Sequence, residues 1–152
     1  MLLATGKMVS VAMEAAAALE NDGVALTVVN ARYIKPLDPR LETWARRHPT
    51  ILTLEDNVVS GGFGSAVSEV LAPLGIPVTA LGVPDAFIPQ GSQAELFTQL
   101  GLDPAGLPAM LRPAVSAAEP AGQTPARPGR LAAPHRAAPP TPTPPSLRRA
   151  GH

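Results

Sequence analysis

The chain has 152 residues with 12 basic and 12 acidic side chains, 19 prolines, 13 glycines and no cysteine, and aromatic residues make up only 3% of it. Without cysteine there is no disulfide scaffold and no thiolate metal or redox chemistry, and the three scattered histidines, His48, His135 and His152, form no ligand set. The zero net charge averages two different polymers: residues 1–112 hold 7 basic and 11 acidic groups and every aromatic, while residues 113–152 hold 5 basic groups, 1 acidic group and ten of the nineteen prolines.

The chain opens with Leu2 to Thr5, a short apolar run ended by Gly6, which suits a buried strand feeding a turn. From Met8 to Asn21 the apolar positions Met8, Ala12, Ala15, Ala16 and Leu19 recur at helical spacing, and Gly23 supplies the stop. Ala25 to Asn30 is rich in β-branched residues and predicts a second strand. Asp38-Pro39 is a helix-start signal, with Leu41, Trp44 and Ala45 as the buried stripe of a short helix ending near His48-Pro49.

Thr50 to Leu54 predicts a third strand. It is followed by Glu55-Asp56-Asn57, the cluster Gly61-Gly62-Phe63-Gly64, and a helix with Val67, Val70, Leu71 and Leu74 on one side and Gly75 at its end. Pro77 to Leu81 reads as a fourth strand. Ser92 to Glu95 matches a capping box before a helix closed by Gly101, and Asp103-Pro104 begins one more short helix to about Leu111.

Alternating strands and helices with short connections predict an α/β domain over residues 1–112, built on a mostly parallel open sheet with flanking helices. Residues 113–152, rich in Pro, Ala and Arg, cannot bury enough apolar surface to offset their ordering entropy and are expected to be a disordered tail. No stretch approaches the roughly 18 uninterrupted apolar residues of a membrane span. Met1 to Thr5 is too short, and lacks the basic leader, to be a signal peptide. A cytoplasmic protein without membrane partners is therefore expected.

In an open parallel sheet ligands sit beyond the carboxyl ends of the strands. The residues there are Gly6 and Lys7, Asn30 and Arg32, Glu55 and Asp56, and Gly82 to Asp85. The most suggestive element is Glu55 to Gly64, because glycines allow close backbone approach and free amides at a helix start favour an anion. Yet Gly61-Gly62-Phe63-Gly64 is neither a dinucleotide fingerprint nor a phosphate loop. It reads first as a tight turn where a helix or neighbouring subunit packs closely, and second as an anion site.

Glu55 and Asp56 could form a proton-transfer pair, but adjacent residues of an extended segment point opposite ways. Turn capping, hydrogen bonding or an interface contact is the simpler role. Lys35 is a candidate anion-binding lysine, and Asp38 is a cap. The loop around Asp85, with Phe87 and Ile88, either closes over its own sheet or meets another domain or subunit. The tail arginines at 127, 130, 136, 148 and 149 are sparse and lack interleaved aromatics, so no nucleic-acid partner is expected.

Four blocks together carry a resemblance. These are Val29 to Asp38, then Leu54 to Asn57 running into Gly61 to Val67, then Leu81 to Asp85 with Phe87 to Gly91, and finally Leu100 to Asp103. In order and spacing they resemble the C-terminal domain of the 1-deoxy-D-xylulose-5-phosphate synthase family, across about residues 2–111. The resemblance implies the transketolase C-terminal fold, the third domain of a thiamine-diphosphate enzyme that joins pyruvate to glyceraldehyde 3-phosphate with loss of carbon dioxide. The product feeds isoprenoid, thiamine and pyridoxal synthesis, and the cofactor supplies nucleophile and electron sink.

In that family the first domain holds the diphosphate and Mg²⁺, and the second holds the pyrimidine ring and its activating glutamate. Neither precedes Met1, so the resemblance assigns no catalytic, cofactor-binding or metal residue to this chain, which is expected to bind no cofactor alone. It transfers to Glu55, Gly61, Gly62 and Gly64 a role in folding and in domain or subunit packing; the loop from Asp85 to Gly91, read from its own residues, is the expected contact of a docking module. The chain is then a fragment, split gene product or truncated copy, inactive alone, whose partners are the missing thiamine-diphosphate-binding domains or a homodimer mate. Two alternatives stand beside it: a free-standing interaction module docking to a protein that carries those domains, or the C-terminal part of a 2-oxoacid dehydrogenase β subunit, which ends in the same fold.

Overall fold

A computed structural model describes residues 1–116; the expected tail lies outside the described residues from position 117 on. In chain order the elements are β1 (Leu2–Ala4), α1 (Met8–Asn21), β2 (Val28–Asn30), α2 (Leu41–Ala45), β3 (Ile51–Val58), α3 (Phe63–Leu71), β4 (Val78–Val83), α4 (Gln93–Gln99) and α5 (Leu107–Ser116), with one 3₁₀ turn, Ala72–Leu74, after α3. The four strands form one parallel sheet in the order β2-β1-β3-β4.

Alternation along the central strands sends side chains to two separate cores. Leu2, Ala4, Leu52 and Leu54 face α1 and α5, where they meet Met8, Ala12, Ala15, Leu19, Leu107 and Leu111. Leu3 and Ile51 face the other way, onto Leu41, Ala45, Phe63, Val67 and Leu71 of α2 and α3. Helix α1 follows its predicted limits because its apolar spacing, its helix formers and the left-handed Gly23 (φ 81°) all agree.

Several boundaries differ from the sequence reading. Strand β3 runs on through Val58 although Glu55, Asp56 and Asn57 are polar, because pairing with β4 continues, with a register irregularity, to Val58–Val83. Strand β2 is reduced to Val28–Asn30. Helix α2 begins at Leu41 rather than at Pro39, and the Asp38 carboxylate accepts the Arg40 N–H at 2.8 Å within the preceding turn. Helix α5 begins at Leu107 and passes through Pro113 to Ser116. Proline there removes one intrahelical donor; burial of Leu111 against α1 and the Arg112–Asp22 ion pair hold the helix in place.

The capping box forms as predicted, with the Ser92 hydroxyl and N–H both donating to Glu95 and the Glu95 N–H returning to Ser92 Oγ. The Ser92 hydroxyl holds the Glu95 carboxyl below the usual carboxylate range. Asp103 is held low by the Gly106 N–H and then by the Thr98 hydroxyl, and Asp38 by the Arg40 guanidinium. A carboxyl depressed in the folded state is protonated first in the unfolded chain, so stability present at neutral pH falls as pH drops through the ordinary carboxylate range near about 4. Urea midpoints measured from about pH 7 to about pH 3 should fall monotonically on the acid side, less so in a Glu95→Gln/Asp103→Asn variant. An acid limb identical in that variant would contradict this assignment.

Candidate functional site at the carboxyl edge of the sheet

The order β2-β1-β3-β4 fixes where a ligand crevice would open. The chain leaves β1 toward β2 across α1, on one face, and returns past β1 to β3 across α2, on the other. The switch point is therefore between the carboxyl ends of β1 and β3. Thr5, Gly6 and Lys7 follow β1 there, and Glu55 and Asp56 stand on β3.

The protein's own side chains occupy that position. Lys7 Nζ lies 3.3 Å from Asp56 Oδ2 and 4.8 Å from the centroid of the Phe97 ring, so one ammonium ties the β1 turn to β3 and to α4. Both partners of the ion pair are about 40% exposed, and in solvent such a pair contributes little stability. Its effect is to fill the crevice with a neutral pair.

Glu55 points the opposite way, as alternation requires, and is 2% exposed. The Phe63 N–H donates to its Oε2 at 2.9 Å and the Gly64 N–H to its Oε1 at 2.8 Å. These are amides of the first turn of α3, the donors that a helix leaves unpaired and that attract anions. The glycine-rich helix start thus holds an anion, and the anion is Glu55. The helix start that the sequence offers as a tight turn first and an anion site second is satisfied from within.

The glycines divide by role. Gly61 adopts φ 72° in open space, a conformation that side chains other than glycine adopt at a cost. A Cβ on Gly62 would land on the Glu55 carboxylate and 2.5 Å from the Val58 carbonyl oxygen. A Cβ on Gly64 would lie 2.6 Å from both Ala80 Cβ and Thr53 Oγ1, so glycine is what lets α3 sit on β3 and β4. Gly82 is equally closed, with Glu55 Cγ and the Asn57 carbonyl oxygen 2.9 Å from its virtual Cβ.

The remaining candidates lie elsewhere. Asp85 is exposed in the loop after β4, beside Phe87, whose ring is fully exposed, and neither approaches Glu55 or Lys7 through a hydrogen bond or ion pair among the described residues. After β2, Asn30 Oδ1 accepts the Arg32 N–H at 3.0 Å, supporting Arg32 at φ 49°. Lys35 stands on an exposed loop beyond it, against the groove between that loop and α3. The spacing of Lys7 from Asp56 and of Glu55 from the amides it caps left no local signal by which the sequence could pair them.

Among the described residues no three His, Cys, Asp or Glu side chains come together to hold a metal ion. With the α3 amides taken by Glu55 and the crevice by Lys7–Asp56, the residues present do not fit a Mg²⁺-bound diphosphate. No helix among the described residues is long and apolar enough to cross a membrane.

Comparison with known proteins agrees with this architecture. The family described as "Transketolase, C-terminal domain" matches residues 1–107. The 1-deoxy-D-xylulose-5-phosphate synthase of Magnetococcus marinus is 43% identical over 116 residues, covering 73% of this chain and 19% of the relative. The 1-deoxy-D-xylulose-5-phosphate synthase 2 of Geobacter sulfurreducens is 47% identical over 115 residues, covering 73% and 18%. The chain thus spans about a fifth of the length of these relatives.

A solved structure described as "Split gene transketolase, inactive beta4 tetramer" superposes with a TM-score of 0.69 at 36% identity, covering 78% of this chain and 39% of that one. A transketolase from Pichia stipitis shares the fold at 22% identity, with a TM-score of 0.53. The parallel sheet, the glycine-opened helix and these matches converge on one assignment: the chain belongs to the transketolase C-terminal domain family, in the form carried by 1-deoxy-D-xylulose-5-phosphate synthases.

Proposed function

We propose that this chain serves as the packing domain of a thiamine-diphosphate-dependent 1-deoxy-D-xylulose-5-phosphate synthase and performs no chemistry alone. The reaction of the assembled enzyme is pyruvate plus glyceraldehyde 3-phosphate giving 1-deoxy-D-xylulose 5-phosphate and carbon dioxide, with cofactor and Mg²⁺ held by the other domains. The observation that carries this reading is the self-occupied carboxyl edge: Glu55 accepts from the α3 amides, and Lys7 and Asp56 pair with each other beside it. Glu55, Gly61, Gly62 and Gly64 then act inward, holding α3 on the sheet. The loop that carries Asp85 and the fully exposed Phe87 acts outward, as a contact for a cofactor-binding domain or a second copy.

The purified chain, supplied with pyruvate, glyceraldehyde 3-phosphate, thiamine diphosphate and Mg²⁺, should form no 1-deoxy-D-xylulose 5-phosphate and release no saturable heat on cofactor titration. Turnover above the protein-free control, or stoichiometric cofactor binding, would overturn the proposal.

A second reading is favoured by the split-gene description of the solved structure that is 36% identical. In it the chain docks to a separately encoded polypeptide carrying the cofactor-binding domains. Mixing the chain with separately produced cofactor-binding domains distinguishes the two. Restored activity and co-elution support docking between chains, and neither is expected if the domain works only when covalently continuous.

A further inference from the structure

On the face of the sheet covered by α2 and α3, an open groove of about 360 Å³ separates α3 from the loop that leads into α2. Ile34, Leu37, Ala66 and Val70 give it apolar walls, and Ile34 and Val70 remain 49% and 37% exposed. Glu42 and Glu69 stand on its rim, opposed by Lys35, and neither carboxylate has an ion-pair partner among the described residues. A neighbouring cleft that shares Leu37, Asp38 and Leu41 with the groove is lined by Tyr33 and Trp44. An apolar groove with an acidic rim, continuing into a cleft lined by aromatic rings, has the chemistry that receives a proline-rich basic segment.

Such a segment is present in this chain. Pro139-Pro140-Thr141-Pro142-Thr143-Pro144-Pro145 places proline at five of seven positions and is followed closely by Arg148 and Arg149. Residues 1–116 carry 11 acidic and 7 basic groups, and residues 117–152 carry 1 acidic group and 5 arginines, so the two parts attract. Length permits the contact. The 23 residues from Ala117 to Pro139 span roughly 25 Å as a coil and up to roughly 80 Å extended, against roughly 35 Å across a domain of this size. Prolines lose little entropy on binding because their φ is already fixed.

We propose that the segment Pro139 to Arg149 docks in cis into the groove between α3 and the Ile34–Glu42 loop, prolines against Ile34, Leu37 and Val70 and arginines toward Glu42 and Glu69. The test uses the full chain, whose lack of cysteine makes a single introduced thiol unique. A nitroxide on Ser146→Cys should selectively bleach the amide signals of Ala66, Glu69 and Val70 while sparing Glu14 and Ala17 of α1 on the opposite face. Arg148→Glu/Arg149→Glu should remove most of that bleaching, and so should about 1 M salt, where charges are screened beyond roughly 3 Å.

Bleaching spread evenly over both faces, or centred on α1, would overturn the proposal. Bleaching that also appears when nitroxide-labelled chain is mixed with isotope-labelled, nitroxide-free chain would identify a second copy as the occupant, and would overturn docking in cis.

Discussion

Glu55→Ala should destabilise the domain by about 3 kcal/mol, since hydrogen bonds to a charged group are each worth about 1.5–3 kcal/mol and both buried amides lose theirs. The Phe63 and Gly64 N–H groups would be left facing a cavity too enclosed to replace the carboxylate freely with solvent. Glu55→Gln keeps the shape but turns an amide NH₂ toward one of the two N–H donors, and should cost about 2 kcal/mol. Asp56→Asn, one residue on but solvent-exposed in its pair with Lys7, should cost less than about 1 kcal/mol. Urea unfolding monitored by circular dichroism reads all three. Equal effects of the Glu55 and Asp56 variants would contradict the capping role.

Gly64→Ala should be comparably severe, at about 3 kcal/mol, because the added carbon meets packed atoms on both β3 and β4 rather than a flexible side-chain end. The contacts at 2.6 Å from Ala80 Cβ and Thr53 Oγ1 can be relieved only by lifting the first turn of α3. That movement would also pull the Gly64 N–H from Glu55, so the packing and hydrogen-bonding losses are coupled. Ala80→Gly introduced together with Gly64→Ala should recover part of the loss, since the Thr53 contact remains. Gly61→Ala, strained in backbone but unobstructed, should cost only about 1 kcal/mol. Thermal melts in which Gly64→Ala is no worse than Gly61→Ala would show that the close approach of α3 to the sheet is dispensable.

The parts of the fold that were legible in the sequence are those whose causes are local. Helix α1 announces itself through Met8, Ala12, Ala15 and Leu19, and α4 through Ser92 and Glu95, because a helix period and a capping box are both written within a few residues. Strand β3 ends four residues beyond the Leu54 limit that the sequence predicts, because Glu55, Asp56 and Asn57 have the composition of a loop, and the strand is continued by pairing with β4 that resumes at Val58–Val83 across a register irregularity. The reach of α5 past Pro113 was similarly hidden, since it depends on α1.

The glycine cluster was visible as a helix start and a close approach, but its occupant was not. Glu55 and the amides it accepts are eight and nine residues apart, a spacing that no short capping motif describes. Lys7 and Asp56 meet only because β1 and β3 are neighbours, a fact of sheet order. Local chemistry was therefore readable, while the filling of the crevice was a property of topology.

Strand β3 lies between β1 and β4 and sends Ile51 and Glu55 to the layer of α2 and α3, and Leu52 and Leu54 to the layer of α1 and α5. Neither layer can peel from the sheet without disturbing a strand on which the other rests. The two cores therefore share β3 as a common wall, so a substitution that loosens this one strand weakens the packing of both layers.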